Sequence, residues 1–181
     1  MEQLRNKNVA VLATDGFEQS ELDQPVAALK KAGATVHIIG LKDGTIKGWK
    51  GGNWGDEVPV DKRVDQANAG DYHALVLPGG VMNPDKLRMN QDAVAFVNRF
   101  FEESKPIAAI CHGPWTLIET GKLKGRKLTS YSSIRTDLEN AGANWVDEEV
   151  VVDNGLVTSR NPNDLPAFCA KMVEEIAEGQ H

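Results

Sequence analysis

The chain predicts an α/β fold: a three-layer sandwich with an open, mostly parallel sheet and helices on both faces, in one domain over residues 1–181. Three observations predict it. Short apolar runs alternate with amphipathic stretches along the whole length. The runs are rich in Val, Ile, Leu and Ala and bounded by Gly or Pro, as strands covered on both faces are. The first run leads through a helical stretch to a second, a β-α-β opening that implies a right-handed crossover.

Each element has its own signal. Val9 to Ala13 reads as a buried strand, and Thr14-Asp15-Gly16-Phe17 as a turn. Glu18 to Ala32 reads as a helix with Leu22, Val26 and Leu29 on one face; Pro25 kinks it or marks its true first turn. Gly33 ends it, and Thr35 to Leu41 forms a strand. Residues 42–68 hold five glycines and two tryptophans. They read as a small hairpin or excursion off the main sheet, centred on 47–55. That excursion is either a solvated loop anchored by its indoles or a partner-binding flap. His73 to Leu77 is a strand ending in Pro78-Gly79-Gly80, and Asn83-Pro84-Asp85 falls in a loop. Asp92 to Ser104 is an amphipathic helix with Val94, Val97 and Phe101 in phase. Pro106 to Ile110 is a strand, and the helix opening at Pro114 ends near Gly121. Arg126 to Thr129 is a short strand, and Ile134 to Ala141 a helix stopped by Gly142. Glu149 to Val152 and Leu156 to Ser159 flank Asp153-Asn154-Gly155 as a hairpin. Leu165 to Ala177 closes the chain, with Leu165, Cys169, Met172, Val173 and Ile176 on one side. His181, a native end or the start of a tag, is set aside from the chemistry.

Composition narrows the function. A length of 181 residues suits one domain, and 41% hydrophobic with 25% charged residues is ordinary for a globular chain. The net charge of −6 recruits neither phosphate backbones nor anionic lipid. Nucleic acid and membrane are therefore poor partners. Two cysteines without a C-x-x-C pattern suit a reducing cytoplasm better than a disulfide framework. No apolar stretch reaches membrane length. Four scattered histidines form no metal-ligand pattern. No G-x-G-x-x-G follows the first strand, and neither a Walker lysine nor G-x-S-x-G occurs. No metal or cofactor is expected.

The chemistry concentrates at Cys111. An apolar strand ends in Cys111-His112, and Gly113-Pro114 opens a helix. This is the thiol form of a nucleophile elbow, with Ala109 and Gly113 small enough for the crowded turn to close. A sulfur at a helix N-terminus favours thiolate, so a pKa well below the free value of about 8.5 is expected. In open α/β sheets the ligand crevice lies beyond the carboxyl ends of the strands. The turns holding Glu18, Gly80 and Cys111 converge there. The N–H groups of Gly80 and His112 could form an oxyanion hole. Glu18, buried beside the thiol, would stay protonated and hydrogen-bond the thiolate. His112 follows the nucleophile but points elsewhere and is not automatically its base. Cys169 lies on an apolar helix face and reads as packing. His37 and His73 sit within strands, in core or edge roles.

Together these residues resemble the ThiJ/PfpI superfamily, a branch of the class I glutamine amidotransferase-like, flavodoxin-like folds. The resemblance runs nearly end to end. It is carried by Asp15-Gly16-Phe17-Glu18, Leu75 through Gly80, Asn83-Pro84-Asp85, Ala109 through Pro114, Ala141-Gly142-Ala143 and Thr158-Ser159-Arg160. It implies Cys111 as nucleophile, Glu18 as its carboxyl partner, and Gly80 with His112 as the oxyanion-hole amides. It also implies a homo-oligomer, dimer or hexamer, in which Asp85 of a neighbouring subunit orients His112. The family's protease carries Glu at that place. The later His-x-Glu of true amidotransferases is missing, which disfavours glutamine hydrolysis. The activities implied are deglycase or glyoxalase chemistry on methylglyoxal or glyoxal adducts, with a small carbonyl or glycated-protein substrate. Two alternatives are a PfpI-type intracellular peptidase and an oxidative-stress sensor or chaperone working through Cys111 oxidation. The doubtful acid at Asp85 ranks adduct hydrolysis above proteolysis.

Overall fold

In a computed structural model, which describes residues 2–180, seven strands form a central sheet in the order β11-β12-β8-β7-β1-β3-β6. These are β1 (Asn8–Leu12), β3 (Thr35–Gly40), β6 (Lys62–Arg63), β7 (Ala74–Leu77), β8 (Ile107–Ile110), β11 (Val151–Asp153) and β12 (Leu156–Ser159). Every neighbouring pair is parallel except β11 with β12, the expected hairpin at one edge. Asn154 and Gly155 supply its positive-φ turn. His181 lies outside the described residues.

Strand alternation divides the core. Ala10, Leu12, Leu75, Leu77, Ile107 and Ala109 face one layer, with Phe96, Val97, Phe100, Leu117 and Leu138. Those side chains come from α3 (Gln91–Glu102), α4 (Pro114–Ile118) and α5 (Arg135–Asn140). Val9, Val11, Ala74, Val76, Ala108 and Ile110 face the other layer, with Leu22, Leu29, Leu165, Phe168 and Met172 from α1 (Gln19–Lys31) and α6 (Leu165–Glu178). Burying both faces explains why the central strands read as unbroken apolar runs. No described helix is long and apolar enough to cross a membrane.

The hairpin expected off the main sheet in residues 42–68 is present as β4 (Thr45–Lys50) paired antiparallel with β5 (Asn53–Pro59). Several elements differ from the sequence reading. β4 runs parallel to β2 (Phe17–Glu18) in a separate three-stranded sheet. Asn83-Pro84-Asp85 lies in a short helix, α2 (Met82–Leu87). The strand expected at 126–129 is β9 (Lys127–Leu128), which pairs with β10 (Asn144–Trp145) in a separate two-stranded sheet beside β11 and β12. The inward face of α3 is Ala93, Phe96, Val97 and Phe100, so Val94 and Phe101 were assigned the wrong phase. On α6 the buried anchors include Phe168, while Cys169 packs half-buried against the core.

β8, β7 and β1 are adjacent, and their carboxyl ends carry Cys111, Gly79-Gly80 and the turn into Glu18. From β1 the chain continues to β3 on one side, whereas β7 lies on the other. That reversal of order opens a crevice above the strand ends.

Candidate active site

Cys111 occupies the left-handed region at φ +63°. That conformation costs a residue with a Cβ about 1–3 kcal/mol and persists only where the surroundings over-determine it. Here the Cys111 N–H donates to the Ser159 carbonyl at 3.0 Å, and its own carbonyl accepts from the Tyr131 N–H at 2.9 Å. Gly113 lets the elbow close, because a Cβ there would meet the Leu77 carbonyl oxygen at 2.6 Å and that of Ile110 at 2.9 Å.

The carboxyl against the sulfur belongs to Glu21, not Glu18. Glu21 is wholly buried in the first turn of α1. Its Oε1 accepts from the Gly79 N–H at 3.1 Å, and the Cys111 thiol interacts with the same carboxyl. Oε2 makes no hydrogen bond of full geometry among the described residues. Gly79 is small of necessity: a Cβ would meet Cys111 Cβ at 2.7 Å and press on Glu21 Oε1. Glu18 caps α1 from β2, half-buried in the same cleft. The signal for Glu21 was present in the sequence. It shares the inward helix face with Pro25 and Leu29, and an acid in line with such residues is a buried acid.

Burial pushes the Glu21 carboxyl up to about 8, and the charge of Glu18 adds to the effect. Glu21 therefore holds its proton at neutral pH. Burial also pushes the Cys111 thiol up, reinforced by any charge on Glu21 and then on Glu18, while the N–H groups of Gly80 and His112 pull it down. The low thiol pKa expected from the sequence is not what this environment gives the sulfur. The helix after the elbow has only five residues, so its dipole is small. Both shifts disfavour a charge on the two groups at once, so a thiolate forms only beside a protonated Glu21.

His112 is nearer the sulfur than its place in sequence suggested. The αL turn at Cys111 brings His112 Nδ1 to 3.2 Å from Sγ. Ser133 Oγ lies 3.1 Å from Nε2, Tyr131 stacks on the ring at 4.8 Å, and Trp115 meets it edge-on at 5.6 Å. None of these three neighbours was foreseen. Burial lowers the imidazole pKa, which favours the neutral ring. Gly80 adopts φ +80°, and a Cβ there would meet the Glu18 amide nitrogen at 2.7 Å. Fully buried Asn83 fixes this loop. Its Oδ1 accepts from the Thr14 N–H at 2.8 Å, and its Nδ2 donates to the Pro78 and Gly79 carbonyls at 3.0 and 3.1 Å.

The cleft above the sulfur has a volume of about 610 Å³ and is lined by Glu18, Glu21, Trp49, Gly80, Cys111, His112, Tyr131 and Ser133, among others. Asp85 is exposed on α2 and does not line it. Within one chain it makes no contact with His112 that would orient the ring. The described carboxylates that cluster at ligand spacing, Glu174, Glu175 and Glu178, sit on α6 outside the cleft.

A sequence model of the DJ-1/PfpI family matches residues 7–175. The chain belongs to the DJ-1/PfpI family. A deglycase of Thermococcus kodakarensis is 45% identical over 92% of this chain and 97% of its own. Protein/nucleic acid deglycase 2 of Escherichia coli is 47% identical over 90% of this chain and 94% of its own. Among solved structures, Drosophila melanogaster DJ-1beta superposes with a TM-score of 0.85 at 30% identity, covering 94% of this chain and 90% of that one. The likeness to these DJ-1/PfpI proteins is thus near full length, and the elbow, the Gly79-Gly80 loop and the acidic turn all fall inside the matched span.

Proposed function

We propose that this chain is a cysteine-dependent hydrolase that removes methylglyoxal- or glyoxal-type adducts from amines. Cys111 is the nucleophile, Glu21 carries the proton, and the Gly80 and His112 amides hold the developing oxyanion. The observation that carries this reading is the strained thiol at the floor of a cleft, facing a buried neutral carboxyl on one side and an imidazole on the other. The deglycase names of the similar proteins support it.

The steps balance on these groups. The thiolate forms a C–S bond to the aminocarbinol carbon as the C–N bond breaks, and the amine leaves with the Glu21 proton. The Glu21 carboxylate then takes a proton from that carbon and gives it to the neighbouring carbonyl oxygen, which leaves an enediol. It next moves the hydroxyl proton of the sulfur-bearing carbon to the neighbouring carbon, and the product is a 2-hydroxy thioester. Water hydrolyses the thioester, which releases a 2-hydroxy acid and restores both thiolate and neutral Glu21. A positioned proton carrier contributes about 10²–10⁴-fold. Consumption of a methylglyoxal adduct should be lost in Cys111→Ala and fall by about 10²-fold or more in Glu21→Gln. Full turnover by Cys111→Ala would overturn the reading. Sulfinate at Cys111 under low peroxide, with no carbonyl turnover in any variant, would favour the sensor reading instead.

One observation favours a second reading, a peptidase. His112 Nδ1 at 3.2 Å from the sulfur is the geometry of a thiol–imidazole dyad. It ranks lower because a hydroxyl, not a carboxylate, faces Nε2 within the chain. Asp85 from a neighbouring copy in a homo-oligomer would supply the missing acid. Casein cleavage that disappears in Cys111→Ala is the test.

A further inference from the structure

We infer that Glu18 and Trp49 form a subsite for a positively charged group at the mouth of the Cys111 cleft. Substrates carrying an ammonium or guanidinium beside the reactive carbon would be favoured, and those carrying phosphate or carboxylate disfavoured.

The two residues are register partners across the parallel β2–β4 pair, so their side chains stand side by side, and both line the cleft. The Glu18 carboxyl has neither a hydrogen bond nor an ion pair among the described residues, and burial alone perturbs it. A half-buried carboxylate with no partner among the described residues is open to a donor that enters the cleft. The adjacent indole offers a π-face to the same cation. The hairpin that presents Trp49 is fastened in place. Asp15 accepts from the Lys47 N–H at 2.8 Å, Gln19 exchanges two hydrogen bonds of 2.9 Å with Asp56, and Trp54 packs edge-on against Trp49 at 5.3 Å.

Charge around the site has one sign. Among the described residues no Lys or Arg lines the cleft, whereas the Glu18 carboxylate does, and Glu21 beneath it keeps its proton and adds no positive charge. One hairpin cation, Lys47, lies over the Trp54 ring at 5.8 Å. An approaching anion would meet the Glu18 charge without compensation, and a cation would be drawn by it.

Charge-selective thiol reagents test this without any turnover. The Cys111 thiolate attacks a methanethiosulfonate, a disulfide bond forms and methanesulfinate leaves. The 2-aminoethyl, 2-hydroxyethyl and 2-sulfonatoethyl reagents differ only in tail charge. Modification of Cys111 is followed by mass spectrometry, each rate divided by that with a small free thiol. The ammonium reagent should be about tenfold faster than the sulfonate in the native chain. Glu18→Gln should bring the two normalised rates close to equality. Trp49→Leu should slow the ammonium reagent alone. Asp23→Asn, an exposed acid of α1 outside the cleft, should keep the native ratio. Equal rates in the native chain, an unchanged ratio in Glu18→Gln, or an equal drop in Asp23→Asn would overturn the subsite. The substrate consequence rests on the adduct-hydrolase reading; the subsite does not. A chain that shows the charge preference but consumes no adduct would sink that reading alone.

Discussion

Glu21 sets the proton balance of the site. Its carboxyl titrates near 4.5 when unfolded and at about 8 when folded. The folded chain therefore keeps a proton that the unfolded chain releases between those values. The sign follows: the stabilisation is complete below the unfolded value and is lost as pH rises through about 8. Its size is on the order of a few kcal/mol. Urea denaturation at about pH 5 and about pH 9 should show the loss in the native chain and a much flatter response in Glu21→Gln. Equal slopes would place the proton elsewhere. The acid was misassigned in sequence because Glu18 and Glu21 both follow the first strand closely. Only the helix phase, with Glu21 in line with Pro25 and Leu29, separates the buried one from the one in the cleft.

At the scale of elements, the elbow is closely confined by backbone atoms. Gly113→Ala forces a Cβ against two backbone carbonyls that have no flexible side chain to move aside. It should cost about 1–3 kcal/mol, read from the denaturation midpoint, and slow alkylation of Cys111. Unchanged stability would show that the turn has room to spare. The central strands were legible because residues buried on both faces leave an apolar run. The phase of α3 was not. Of adjacent Phe100 and Phe101 the first is fully buried and the second only partly, and small Ala93 conceals the true stripe with Phe96, Val97 and Phe100. The hairpin at 45–59 was visible from its glycines, but its role was not. That role comes from contacts to Asp15, Gln19 and Phe17, distant in sequence.

At the scale of the whole molecule, Asp85 and the surface around the cleft raise the question of a second copy. Val81 is 55% exposed and Tyr131 42% exposed at the cleft, and Asp85 is exposed on the same short helix as Met82. If a neighbour's Asp85 completes the His112 side of the site, Asp85→Asn should lower adduct turnover by about tenfold or more. Mixing that variant with inactive Cys111→Ala should then restore part of the activity, because hybrid assemblies contain one intact site. Full activity in Asp85→Asn alone would make each chain self-sufficient, with Ser133 as the partner of Nε2. The architecture was readable from the order of elements. Which side chains meet at the strand ends was readable only in part, since Ser133, Tyr131 and Asn83 reach the site through tertiary contacts with no local signature.

The central claim is that Glu21 is the acid coupled to the Cys111 sulfur. The most direct measurement is the rate of Cys111 alkylation by iodoacetamide against pH in the native chain, Glu21→Gln and Glu18→Gln. The native profile should carry an inflection near the Glu21 titration at about 8. Glu18→Gln should keep that inflection and move it to lower pH, because a neighbouring charge is removed, whereas Glu21→Gln should abolish it. An inflection that survives in Glu21→Gln, or one that vanishes in Glu18→Gln, would contradict the account.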